Sequence, residues 1–63
     1  MKQISWIYFS EGFDEDAVDE ISSKFTEITN WHEENKYRFF GTAERLQEFK
    51  RAVSTIEKIE KIV

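Results

Sequence analysis

Sixty-three residues make one domain, expected to span 1–63 without a break, and a chain this short buries only about 60% of the surface its unfolded form exposes. Nine Lys and Arg against thirteen Asp and Glu leave a net charge of −4, which works against general attraction to nucleic acid or anionic lipid and suits a partner with a basic surface. With no cysteine there is no disulfide or thiolate metal site, one histidine cannot build a zinc cage alone, and no run approaches the roughly 18 apolar residues of a membrane span.

The segment Gln3 to Phe9 is rich in Ile, Trp, Tyr and Phe and runs into Ser10-Glu11-Gly12, which predicts a strand ending in a turn. It is apolar at nearly every position, so it belongs in the middle of a sheet. Before it, Met1 to Trp6 lacks the apolar run and small-residue cleavage site of a signal peptide, and a cytoplasmic protein is expected.

From Asp14 to Phe25, Val18, Ile21 and Phe25 fall on one helical stripe. Asp14 is placed to cap that helix, Phe13 and Val18 to form a hydrophobic staple, and Glu15 and Asp16 to meet the positive end of the helix dipole. Thr26 to Trp31 and Lys36 to Gly41 then read as the two strands of a hairpin, with Asn35 the residue in the turn that best tolerates a left-handed backbone.

Thr42 can cap a second helix whose stripe runs through Leu46, Phe49 and Val53. Two courses are open for the end of the chain. A break near Ser54-Thr55 would release Ile56 to Val63 as a fourth strand and give βαββαβ, a small ferredoxin-like plait with both helices on one face of an antiparallel sheet. Continued helix, favoured by the missing Gly or Pro and by Glu57 and Lys61 at i, i+4, would give βαββα with a long C-terminal helix. The spacing of Ile56, Ile59 and Ile62 by three does not separate them. Strand is preferred because it covers a sheet edge.

In a plait, one sheet face lies under the helices and the other stays open. Charges do not belong under helices, so Tyr37 and Phe39 should face in and Arg38 and Phe40 out. Ile28, following Phe25, faces in and turns Glu27, Thr29 and Trp31 out. For the first strand either register is possible. If Ile7 and Phe9 lie beneath the helices, Trp6 and Tyr8 join Trp31, Arg38 and Phe40 in one aromatic patch, and these side-chain types dominate binding hot spots.

Little in the chain carries chemistry. His32-Glu33-Glu34 combines imidazole and carboxylates, but adjacent turn residues rarely converge on a metal, and no metal or cofactor is expected. The acidic run Asp14, Glu15, Asp16, Asp19 and Glu20 lacks a calcium-loop pattern; it serves a helix start and offers at most an acidic docking patch. No nucleophile motif or phosphate loop is present. Laid against the RNA-recognition pattern K/R-G-F/Y-G/A-F-V-x-F/Y, Lys36 to Ala43 fails at both glycine positions and at the terminal aromatic.

The expectation is therefore a non-catalytic protein-binding domain: a small inhibitor, adaptor or regulatory subunit, of the size and acidity of some phage-encoded inhibitors. It would act through the aromatic sheet face or the acidic helix face, and could pair as a homodimer. The alternative is a module for single-stranded RNA or a small ligand using the same aromatics.

Overall fold

The computed structural model describes residues 1–31 and 35–63 and runs β1 (Gln3–Phe9), α1 (Glu15–Ser22), β2 (Ile28–Trp31), β3 (Lys36–Gly41), α2 (Ala43–Ser54) and β4 (Ile59–Ile62). The four strands form one antiparallel sheet in the order β2-β3-β1-β4, the ferredoxin-like βαββαβ plait. The C-terminal helix is thereby ruled out.

Ile7, Phe9, Tyr37 and Phe39 of the central strands, Val18 of α1 and Leu46, Phe49 and Val53 of α2 are all buried in a single cluster. Both helices therefore sit on the face to which Ile7 and Phe9 point, which settles the register of β1. Phe13, Ile21, Phe25, Ile28, Ile59 and Ile62 close the rim of this core. Phe13 stacks on Phe9 at 4.8 Å between ring centres, and Phe25 meets Phe49 edge-on at 5.3 Å.

Local chemistry sets the ends of the elements. Asp14 caps α1 by accepting from the Ala17 N–H, and Thr42 caps α2 by accepting from the Arg45 N–H. Gly12, at φ 86°, makes the turn after β1, and Asn35, at φ 53°, takes the left-handed position before β3. Three boundaries differ from expectation. Helix α1 stops at Ser22: the Lys24 and Phe25 N–H groups donate to Ile21 and Ser22 carbonyls three residues back, a tightened last turn that swings Phe25 onto Phe49. Strand β2 begins at Ile28 because Thr26 and Glu27 form a turn.

The end of α2 explains why the sequence left two courses open. No Gly or Pro stops it; instead the Thr55 hydroxyl donates to the Ala52 carbonyl that the Ile56 N–H would use in a further turn, and the Ile56 and Glu57 N–H groups both donate to the Val53 carbonyl. Ile56 is left exposed in the turn, and β4 begins only at Ile59. Opposite β1, a bulge breaks the register between Tyr8 and Phe9: Tyr8 faces Lys61, and Phe9 faces Ile59. The extra residue, Glu60, lets Ile59 and Ile62 both face the core at a spacing of three, which a regular strand would not allow. Glu57 does not pair with Lys61 along a helix. It accepts from the Asp14 N–H at 2.9 Å, and Glu60 accepts from the Ser10 hydroxyl at 3.0 Å, tying the approach to β4 onto the turn after β1.

Candidate functional site: the open sheet face

Strand pleat and register decide what the uncovered face carries. In β1 the residues alternating with buried Ser5, Ile7 and Phe9 are Ile4, Trp6 and Tyr8. Tyr8 lies opposite Lys36 on one side and Lys61 on the other, and Lys36 in turn lies opposite Trp31. One row across the sheet is therefore Trp31, Lys36, Tyr8, Lys61. In the next row Thr29, Arg38 and Trp6 are neighbours, and Val63 joins them through paired backbone bonds with Trp6 at 2.9 Å. Beyond these, Phe40 lies opposite Ile4. Thus Trp6, Tyr8, Trp31, Arg38 and Phe40 share one face.

Rings and cations alternate on it. The Lys36 ammonium stands 4.6 Å from the centre of the Trp6 ring and 5.6 Å from that of Tyr8; Lys61 lies 4.6 Å from the other side of the same row at Tyr8. Arg38 lies 5.8 Å from Trp31, and Lys2 lies 5.8 Å from Phe40. Trp6 and Trp31 meet edge to face at 5.4 Å. Such contacts are worth about 0.5–1 kcal/mol each at exposed sites, enough to orient the side chains but not to seal the rings from a ligand. The other end of the face is plainly apolar: Ile4 is 56% exposed, Phe40 47% and Val63 70%, with Trp31 41% exposed at the β2 edge.

The two sides of the sheet differ in how their charges are used. On the helix side Arg45 donates to Glu27 at 3.1 Å, is paired with Glu48, and lies over the Phe25 ring at 4.7 Å. Its hydrogen bond holds the Glu27 carboxyl below the usual carboxylate range, and that partner raises the guanidinium in turn. The expectation that Glu27 points outward with Trp31 is corrected here. Glu27 crosses to α2, passing close to Gly41, where any Cβ would stand 2.8 Å from its Cγ. By contrast, Lys2, Arg38 and Lys61 have no ion-pair partner among the described residues, and the Arg38 Nε is buried without an acceptor.

The acidic run is divided by the fold. Asp14 is the cap of α1. Asp19 accepts from the Tyr37 hydroxyl at 2.6 Å and from the Asn30 amide at 2.7 Å, and Glu15 accepts from the same amide at 3.2 Å. Of the five, Asp16 and Glu20 are exposed on the helix without such a task. His32-Glu33-Glu34 lies outside the described residues, and among those described no three His, Asp or Glu side chains gather as a metal would require. No helix among them is long and apolar enough to cross a membrane.

No protein-family model, curated protein or solved structure matches this chain. Its function must therefore be argued from the open face itself. Sequence reasoning set Ile4 with Trp6 and Tyr8 and turned Lys36 out with Arg38, but missed three contributors to the face: Lys2, Lys61 and Val63. Lys2 was within reach, since it shares the parity of Trp6. Lys61 and Val63 were not, because their placement needs the bulged pairing of β4 with β1.

Proposed function

We propose that this chain is a cytoplasmic, non-catalytic protein-binding domain, a small inhibitor, adaptor or regulatory subunit, that docks through the open face of its sheet. The observation that carries this reading is the contiguous exposure of Ile4, Phe40 and Val63 beside the Trp and Tyr rings, with both helices committed to the other side. A soluble protein of this size gains nothing from leaving such side chains wet unless another surface covers them.

Charge bears on what that surface is. A face-to-face homodimer would set Lys2, Lys36, Arg38 and Lys61 of one copy against the same cations of the other, so this face suits a different protein with acidic groups at its rim. The basic partner suggested by the net charge would fit only the helix side, where Asp16 and Glu20 remain exposed.

Tagged chain recovered from its native cell tests the reading. The parent should elute in a stoichiometric complex with one protein, and the double substitution Ile4→Ser with Phe40→Ser should weaken that complex by about 100-fold, as loss of two hot-spot contacts does. Both positions are exposed, so the variant should melt within a few degrees of the parent. A complex that survives the double substitution would refute docking through this face.

A further inference from the structure

The ring-and-cation half of the open face is built differently from its apolar end. Across four strands about 4.8 Å apart, Trp31, Lys36, Tyr8 and Lys61 alternate ring with cation, and Arg38 beside Trp6 repeats the pairing one row on. We propose that this half binds single-stranded nucleic acid, with bases stacking on Trp31, Tyr8 and Trp6 and phosphates neutralised by Arg38 and Lys61.

Three observations support it. The Trp31 and Tyr8 rings are met by the flexible side chains of Arg38 at 5.8 Å and Lys61 at 4.6 Å, so a base can take the place over the ring while the guanidinium or ammonium moves to the adjoining phosphate. The cations on this side are also uncommitted where it matters: Arg38 and Lys61 have no ion-pair partner among the described residues, whereas Arg45 on the helix side is taken by Glu27 and Glu48. Arg38 also keeps a buried Nε without an acceptor, a donor that a phosphate oxygen would satisfy once the side chain turns.

The third observation removes the objection raised by net charge. Four cations, Lys2, Lys36, Arg38 and Lys61, lie on the open face of a chain whose total is −4, so the remainder carries −8 (−4 minus +4). The acids of α1 stand on the helix side of the sheet, where Asp14, Glu15 and Asp19 are held by local hydrogen bonds to the Ala17 N–H, the Asn30 amide and the Tyr37 hydroxyl. A strand lying on the open face meets mainly the cations. Single strands are favoured over duplex because flat rings on a sheet need unstacked bases, and a duplex offers only its backbone. Any base has a face to stack, so the site is tolerant of sequence.

Fluorescence anisotropy with labelled oligo(dT) and oligo(U) 12-mers, and a duplex of the same length, tests this. The parent should bind both single strands at 50 mM salt and the duplex about tenfold more weakly. Neutralising two or three phosphates should give a log–log salt slope of about −1.4 to −2.1, hence a loss of roughly 7- to 18-fold between 50 and 200 mM. Trp31→Ala and Lys61→Glu should each weaken binding about tenfold. Ile4→Ser with Phe40→Ser should change it less than about twofold, so this site and the protein-docking end can fail separately. Both test positions are exposed; should Trp31→Ala melt early, Lys61→Glu decides alone. No binding at 50 mM salt, or binding indifferent to both substitutions, would overturn the proposal and leave an acidic protein as what these cations meet.

Discussion

Phe49→Ala should abolish cooperative folding at physiological temperature. The Phe49 ring is fully buried at the centre of the core and meets Phe25 edge-on. Truncating such a ring costs about 3–5 kcal/mol, the lost transfer energy plus the cavity left behind. A domain of this length holds in all about 3–9 kcal/mol, at roughly 0.05–0.15 kcal/mol per residue, and the chain has no disulfide to limit its unfolded state. Thermal unfolding followed by circular dichroism should show the midpoint lowered by more than about 15 °C, or no cooperative transition, since each kcal/mol moves a domain this small by about 4–8 °C. A drop of less than about 5 °C would mean that α2 does not pack on the sheet through this ring.

The second large effect comes from the polar knot between α1 and the hairpin. Tyr37 is buried, and its hydroxyl donates to Asp19, which also accepts from Asn30. Burial is the main reason its hydroxyl titrates well above its ordinary value of 10; the hydrogen bond to Asp19 and the nearby charges of Asp19 and Glu15 add to it. The folded chain thus holds this proton more tightly than the unfolded one. The stability this contributes is whole below about pH 10 and is lost as pH rises above it, because the unfolded chain can then ionise Tyr37 while the folded chain resists. Urea titrations at pH 8, 10 and 11 should show the parent losing more stability above pH 10 than Tyr37→Phe. At pH 7, Asp19→Ala should cost about 1.5–3 kcal/mol, the range for a hydrogen bond to a charged group, since it strands both the Tyr37 hydroxyl and the Asn30 amide. Equal alkaline loss in parent and Tyr37→Phe would show that the hydroxyl is not sealed in the fold.

These two clusters also show where sequence is legible. Strands β1 and β3 stand at their predicted bounds, because alternation or unbroken apolarity between clear turn residues leaves few other arrangements. Asp14, Thr42 and Asn35 take their predicted places because each supplies an oxygen or a backbone conformation that its neighbours cannot. The inward facing of Tyr37 and Phe39 followed from keeping Lys36 and Arg38 out of the core.

What stayed hidden depended on contacts distant in sequence. The Ile59 and Ile62 spacing matches neither a regular strand nor a full helical stripe until the bulge at Glu60 is known. The end of α2 falls where the Thr55 hydroxyl takes the Ala52 carbonyl, from a residue type that in other contexts faces solvent within a helix. Glu27 and Asp19 looked like surface acids, yet one reaches Arg45 and the other Tyr37. Charge misled most: the total of −4 hides the cations that strand register gathers on the open face. The five aromatic and Arg residues expected on the open face are together there, and the cations between them are what the proposal of an anionic partner for that face rests on.

Ionic quenching of tryptophan fluorescence bears most directly on the central claim that the uncovered sheet face is both aromatic and positive. Trp6 and Trp31 are the only tryptophans and both lie on it, beside Lys36 and Arg38. At constant ionic strength, the ratio of iodide to caesium quenching should exceed that of free N-acetyltryptophanamide, because the local cations gather the anion and repel the metal. A ratio below that of the free reference, as a uniformly distributed charge of −4 would produce, or protection from both ions, would contradict the account.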